Sequence, residues 1–71
     1  MIARAQIKAA ADRLGWEVTD RSASLVLQYR RRTLVVQFDQ RGGIKAAGNC
    51  ARRIVGRDKL GQVLAALEEL T

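Results

Sequence analysis

The spacing of apolar residues changes twice along the chain, from helical to alternating and back to helical. Over 2–14 apolar positions recur every three or four residues, and over 58–70 they do so again. Each pattern predicts an amphipathic helix. The apolar stripe of the first helix consists of Ala3, Ile7, Ala10, Ala11 and Leu14, and that of the second of Leu60, Val63, Leu64, Leu67 and Leu70.

Two glycines lie at informative positions of these helices. Gly15 directly follows the first helix, where a left-handed C′ residue ends many helices, and Trp16 is then expected to fold back onto the last turn. Gly61 lies in the first turn of the last helix, where glycine weakens a helix by about 1 kcal/mol relative to alanine. Between the helices, residues 16–19 alternate and predict a short strand, and 20–24 predict a polar turn.

The middle of the chain has two alternating runs, 25–29 and 33–38, separated by the triplet Arg30, Arg31 and Arg32. This pattern predicts a β-hairpin with the triplet at its tip. A register that keeps the large apolar residues on one face requires a loop with an even number of residues. The expected pairs are Tyr29 with Leu34, Leu27 with Val36 and Leu25 with Phe38, while Val26, Gln28, Val35 and Gln37 share the other face.

The even loop has either two residues, Arg31 and Arg32, or four, 30–33. Two-residue hairpin loops favour residues that adopt positive φ, and arginine is a poor choice for them. We therefore expect the four-residue loop.

The following turn, 40–43, fits a three-residue loop with Gly43 in the left-handed bulge position. It leads into a strand at about 44–48. In the register that this loop sets, Ala46 lies opposite Phe38, and Ala46 and Gly48 are expected on the core face.

Helices at both ends with strands between them predict a single α+β domain over 1–71. The economical arrangement is helix–three-stranded antiparallel meander–helix (αβββα), with both helices on one face of the sheet. Segment 49–56 has no clear periodicity, and Ile54 and Val55 are expected to anchor it.

Composition narrows the class of protein. The chain has 71 residues, 48% of them hydrophobic, which suits one small core, and a second copy in a homodimer would add burial. No apolar stretch approaches the roughly 20 residues of a membrane span, and 1–4 lack the apolar centre of a signal peptide. The lone Cys50 excludes an internal disulfide. We expect a cytoplasmic protein without a membrane partner.

Charge adds a possible binding function. Thirteen basic and seven acidic residues give a net charge of +6, and ten of the basic residues are arginine. This bias reflects either binding to phosphate or carboxylate groups or the codon usage of a GC-rich genome. The candidate anion-binding residues are Arg30, Arg31 and Arg32 at the hairpin tip, Arg41 at the next turn, and Arg52, Arg53, Arg57 and Lys59 before the last helix.

The third group of basic residues precedes a helix N-terminus, which itself favours anions. Because a meander alternates its turns, Arg31 and Arg41 are expected at opposite ends of the sheet. The alternative for every group is a solvated charge that keeps a small domain soluble.

Catalytic and metal-binding residue types are scarce. The chain has no histidine, and its seven carboxylates are scattered, with only Glu68 and Glu69 adjacent. Neighbouring residues on a helix do not face each other. Cys50 lacks a histidine base, and a free cysteine is most often a small core residue. We expect no enzymatic activity, no cofactor and no metal site.

The element order is similar to that of the double-stranded-RNA-binding domain, whose phosphate contacts fall where Arg52, Arg53, Arg57 and Lys59 stand here. The Gly-Pro-rich, histidine-bearing turn of that family is replaced by 20–24. The Gly15–Trp16 step resembles one in the HicA-type toxins, which are small ribonucleases. Their catalytic histidine has no counterpart here, because Ser22–Ala23–Ser24 occupies that region.

Most of the chain resembles small Arg/Ala-rich proteins of unknown function from actinobacterial phages. The similarity is in the Gly-Trp-Glu-Val step at 15–18 and in the ending with Arg-Asp-Lys at 57–59 and Val-Leu-Ala-Ala-Leu at 63–67.

The sequence favours a small, non-catalytic binding module that engages an anionic partner, most simply nucleic-acid phosphate. The alternative is a phage-encoded protein-interaction module that modulates a host protein through a sheet edge, a helix face or a homodimer surface. A third possibility is an inactive relative of a toxin nuclease.

Overall fold

The structure, a computed structural model, describes residues 3–49 and 53–71. The order of elements, a helix followed by strands and a second helix, confirms the α+β prediction. Cys50 and Arg52 lie outside the described residues. The elements are α1 (Ala3–Leu14), β1 (Glu17–Asp20), β2 (Ser24–Tyr29), β3 (Arg32–Phe38), β4 (Ile44–Gly48), β5 (Arg53–Ile54) and α2 (Lys59–Glu69).

The strands of the described residues form one antiparallel sheet of five in the order β1-β2-β3-β4-β5, so each pairs with its neighbours along the chain. The predicted three-stranded meander therefore has too few strands. Strand β1 matches the short strand predicted at 16–19, shifted by one residue, and it pairs with β2 over four positions. Strand β5 is only two residues long and pairs with the end of β4. A strand this short has no periodicity, so the sequence pattern could not indicate it.

One face of the sheet supplies half of the residues of the hydrophobic core. Buried residues alternate with half-buried or exposed ones along β2 and β3, and both helices add side chains to the same cluster. Burial of one leucine or valine side chain contributes about 1.5–3 kcal/mol. The core consists of Ala3, Ile7, Ala11, Trp16, Leu25, Leu27, Leu34, Val36, Phe38, Ala47, Ile54, Val63, Ala66 and Leu67.

The end of α1 confirms the role predicted for Gly15. Its φ of 86° is left-handed, and its backbone N–H donates to the carbonyl of Asp12 at 3.2 Å. The N–H of Trp16 donates to the carbonyl of Ala11 at 2.8 Å, which completes a Schellman motif. This turn places the indole of Trp16 in the core, where 4% of its surface is exposed.

The hairpin register differs from the prediction by two residues. Leu27 lies opposite Leu34 and Leu25 opposite Val36, and the strands are joined by a two-residue loop, Arg30 and Arg31. The predicted core face is correct, because a shift of two keeps every side chain on its side. The predicted four-residue loop is wrong, because Arg30 adopts the positive φ that a two-residue loop requires.

The turn between β3 and β4 also differs from the prediction. Its loop is 40–42, and Gly42, not Gly43, has the left-handed φ of 84°. The carboxylate of Asp39 accepts hydrogen bonds from the backbone N–H groups of Arg41 and Gly43, which fixes the turn.

The register of β4 shifts next to this turn. Phe38 lies opposite Ile44 and Gln37 opposite Ala46, so Lys45 is an extra residue on β4. The bulge therefore turns Ala47 into the core, with 8% of its surface exposed, and leaves Ala46 exposed. The prediction of Ala46 on the core face is wrong for this reason.

Asp58 caps the last helix from a left-handed conformation with φ of 54°. Its side chain accepts from the N–H of Gly61 at 3.1 Å. A Cβ atom at position 61 would come within 2.3 Å of a carboxylate oxygen of Asp58, which explains a glycine in this first turn. Of the two predicted anchors before the helix, Ile54 is buried, but Val55 is 61% exposed, so the prediction for Val55 is wrong.

Candidate nucleic-acid interface

The arginine triplet lies at the tip of the β2–β3 hairpin. Arg30 and Arg31 form the loop and Arg32 begins β3, and all three side chains are exposed. The φ of Arg30 is 56°, and Arg31 is not among the residues with positive φ. A positive φ at the first loop position alone is the sign pattern of a type II′ turn, which favours glycine there. A left-handed backbone costs a residue with a Cβ atom about 1–2 kcal/mol.

No acidic side chain among the described residues forms an ion pair with the triplet. Within 3–49 and 53–71, the structure shows ion pairs only from Arg4 and Lys8, both to Asp20. Three adjacent positive charges on a tight turn repel one another, and this repulsion is relieved when an anion binds. The hairpin tip is therefore a concentrated positive site whose three arginines form no ion pair with the described residues.

An aromatic pair lies directly behind the tip. The ring of Tyr29 is 5.4 Å from that of Trp16, with an angle of 35° between their planes. The guanidinium of Arg30 lies over the Tyr29 ring, 5.4 Å from its centroid, in a cation–π contact. The buried Nε1 of Trp16 has no hydrogen-bond partner among the described residues. No sequence pattern indicates this cluster, although Trp16 and Tyr29 occupy core-facing positions of two adjacent segments.

Arg41 lies at the other end of the sheet, as the meander predicts. It belongs to the β3–β4 loop, while the triplet belongs to the β2–β3 loop, and successive loops of a meander alternate between the ends. Arg53 begins β5 and lies opposite Gly48, which itself lies opposite Val35 in the middle of β3. Arg53 therefore lies at neither end of the sheet. The structure does not bring the triplet, Arg41 and Arg53 together.

Arg57 and Lys59 flank the start of α2, at the same end as Arg41. They line a shallow groove with Ala3 and Gly43. The helix start itself is filled by the carboxylate of Asp58, and the ammonium of Lys59 donates to the carbonyl of Gly56 at 2.8 Å. A negative cap at a helix N-terminus opposes a second anion there, so this group is a weaker phosphate site than its sequence suggests.

The ion pairs of Asp20 with Arg4 and Lys8 lie at this end. The guanidinium of Arg4 bonds the carboxylate of Asp20 and the carbonyls of Arg21 and Ser22, and it lies 4.5 Å from the centroid of Phe38. Lys8 donates to the second oxygen of Asp20 at 2.8 Å. The hydrogen bond from Lys8 is the main cause that lowers the pKa of Asp20, and the charge of Arg4 lowers it further. These contacts join α1 to β1.

In the described part of the chain no three metal-ligating side chains cluster, and none of its helices is long and apolar enough to cross a membrane. Comparison of the chain with protein-family models, with curated proteins and with solved structures found no match. The function must therefore be argued from the residues themselves.

Proposed function

We propose that the protein is a non-catalytic module that binds nucleic acid through phosphate contacts at its hairpin tip, with Arg30, Arg31 and Arg32 as the main contacts. The observation that supports this most is the tip itself. Its three arginines have no acidic partner among the described residues, and the first is in a conformation that favours glycine. Strain of this kind clusters at functional sites.

The tip suits phosphate binding for three physical reasons. Arginine binds phosphate with two parallel hydrogen bonds. A two-residue loop between paired strands holds the backbone of the arginines in place, so less conformational entropy is lost on binding. The exposed side chains also allow a polyanion to approach without clashing with the helices.

The absence of catalysis is part of this proposal. Three aspartates already have structural partners: Asp20 in ion pairs, Asp39 in a turn and Asp58 at a helix cap. A carboxylate held in this way is not available as a general base in the absence of rearrangement. We further propose that both helices cover one face of the sheet, since both contribute to one core cluster and contact each other.

The test is a salt titration of binding to short labelled single-stranded RNA and duplex DNA, followed by fluorescence anisotropy. Three phosphate contacts give a log–log slope of about −2 on a single strand and about −3 on duplex DNA. Serine at positions 30–32 is expected to remove most of that slope. Binding that is independent of salt would contradict the proposal.

A charge-matched variant makes this test specific. Arg21→Ser, Arg41→Ser and Arg57→Ser remove three exposed positive charges from the opposite end, and both triple variants fall from +6 to +3 because three charges are lost. The tip variant is expected to lose much more affinity than this control. Equal losses would show that net charge alone attracts the nucleic acid.

A second candidate is a protein-interaction module, for example a phage-encoded protein that modulates a host protein. Val55 favours it, because this large apolar residue is 61% exposed and directly follows the edge strand β5. Unpaired backbone at a sheet edge can pair with a strand of a partner. If this candidate is correct, Val55→Ser abolishes the effect of the protein on its host cell, whereas serine at positions 30–32 leaves that effect intact. Mass measurement by light scattering tests whether that partner is a second copy of the chain.

A further inference from the structure

An open groove lies beside the hairpin tip, and phosphate binding does not explain its lining. Its volume is about 410 Å³, which is in the range of small-molecule sites, roughly 300–1,000 Å³. Among the described residues, its lining consists of Gly15, Glu17, Gln28, Tyr29 and Arg30. The groove thus combines a flat aromatic ring, a guanidinium, a carboxylate and an amide.

The aromatic part of the lining is fixed from behind. Tyr29 is half-buried against Trp16, and the Schellman turn at Gly15 holds Trp16 in place. Gly15 also borders the ring, since a Cβ atom there would lie 3.7 Å from Cε1 of Tyr29. A ring that is held by its neighbours offers a stacking surface that loses little entropy when a ligand binds.

The guanidinium of Arg30 lies over the Tyr29 ring, so the stacking surface that a base meets includes the guanidinium plane. It lies 5.4 Å from the Tyr29 centroid, so an arginine of the phosphate-binding tip also takes part in the stack. Nucleobases in single strands stack on aromatic rings and on arginine planes. A nucleotide with its phosphate at Arg31 or Arg32 therefore brings its base close to this surface.

The polar part of the lining favours a base over a phosphate. Glu17 and Gln28 lie directly opposite each other on β1 and β2, and both are exposed. The carboxylate of Glu17 only accepts hydrogen bonds when ionised, and it repels phosphate. Guanine presents two adjacent N–H donors on its Watson–Crick edge, which match the two oxygens of a carboxylate.

We propose that this groove binds one unpaired nucleobase, with guanine preferred, while Arg31 and Arg32 contact the flanking phosphates. The proposal rests on the nucleic-acid binding proposed above and names its substrate class as single-stranded nucleic acid. Tyr29 and Arg30 stack on the base, and Glu17 and Gln28 read its edge.

The test uses labelled oligo-U RNA whose central nucleotide is guanine, adenine, cytosine, uracil or abasic, with a duplex of matched length. The guanine probe is expected to bind about 5- to 150-fold more tightly than the abasic probe, which is the range for one stacked base. The fluorescence of Trp16, the only tryptophan, is expected to change with the guanine probe and not with the abasic probe.

Three variants separate stacking from edge recognition. Tyr29→Phe keeps the ring and is expected to retain the preference for a base over the abasic site, whereas Tyr29→Leu is expected to lose it. Glu17→Gln changes an exposed residue outside the core and is expected to reduce the preference for guanine over adenine without changing the salt slope. Because Glu17 does not pack in the core, this variant still tests the proposal if Tyr29→Leu fails to fold.

The results distinguish the two proposals. Equal binding of all five single strands and the duplex, with loss of binding in the tip variant, overturns the base site and leaves the phosphate function intact. Absence of salt-dependent binding to every probe overturns both. Preference for guanine that Glu17→Gln removes supports the base site.

Discussion

The two ends of the sheet carry similar amounts of positive charge but differ in the carboxylates that lie near it. At the tip end, defined by Arg30, Arg31 and Arg32, the positive side chains have no acidic partner among the described residues. At the opposite end, defined by Arg41, Arg57 and Lys59, the positive side chains likewise form no ion pair among the described residues, but three aspartates lie at this end: Asp20 in ion pairs with Arg4 and Lys8, Asp39 in a turn and Asp58 at a cap. A count of basic residues does not show this difference. What matters is where the fold places its carboxylates relative to these positive charges.

The largest effect that we expect on stability at the tip comes from Arg30→Gly. Glycine adopts a positive φ without the steric cost of about 1–2 kcal/mol that arginine has there. Its greater freedom in the unfolded chain offsets part of this gain. We expect the free energy of unfolding, measured by urea denaturation, to rise by about 0.5–1 kcal/mol.

Arg31→Gly is the matched control, because it removes the same charge from the neighbouring loop position, where φ is not positive. It is expected to leave the protein no more stable than wild type. Both variants are expected to bind nucleic acid with a smaller salt slope, by about 0.7 on a single strand, if each arginine contacts one phosphate. Stabilisation by both variants would mean that charge repulsion, not backbone strain, lowers the free energy of unfolding at the tip.

At the opposite end, two changes at Asp58 separate its capping role from its charge. Asp58→Ala removes the acceptor for the N–H of Gly61 and is expected to cost about 1 kcal/mol of stability in urea denaturation. Asp58→Asn keeps an acceptor and tolerates the left-handed backbone, so its stability is expected to stay within about 0.5 kcal/mol of wild type.

The same Asp58→Asn variant tests whether the cap suppresses phosphate binding at the start of α2. Removal of a negative charge there is expected to strengthen nucleic-acid binding about 2- to 5-fold, from a dipole term of about 0.3–1 kcal/mol. The gain is expected to disappear when Arg57→Ser is added. Unchanged affinity in Asp58→Asn would show that this end is not a phosphate site even without its own carboxylate.

The contrast between the two ends also shows which features of this fold could be predicted from sequence patterns. The apolar alternation of Leu25, Leu27 and Leu34 indicates the correct core face, because burial depends on the side of the strand and not on the exact partner. The register depends on the loop, and the loop depends on Arg30 adopting a conformation that residue preferences disfavour. A rule based on average preferences therefore selected the longer loop.

Candidate binding residues were less predictable than the core. The triplet could be placed at a hairpin tip from the pattern alone, and Arg41 at the other end from the meander. The weakness of the site near Arg57 depends on where the carboxylate of Asp58 points, which is a property of the folded chain. The stack of Arg30, Tyr29 and Trp16 likewise depends on the turn after α1, which brings two separate segments together.

The smallest effect that we expect concerns acid stability and comes from Asp20→Asn. Lys8 and Arg4 lower the pKa of Asp20 below its usual 3.8, so the folded state favours the ionised form. This contribution to stability is complete at pH values above the unfolded pKa and is lost as the pH falls through the lower folded pKa. Asp20→Asn is therefore expected to be slightly less stable than wild type at neutral pH and to lose less stability on acidification.

Thermal unfolding followed by Trp16 fluorescence between neutral and acidic pH measures this difference. Asp12→Asn is the matched control, because it removes an exposed carboxylate of α1 that makes no ion pair within the described residues. If the two variants respond to pH in the same way, the contacts of Asp20 with Lys8 and Arg4 do not stabilise the fold. In that case the ion pairs of Asp20 do not distinguish the opposite end from the tip, and the contrast between the ends rests on the carboxylates of Asp39 and Asp58.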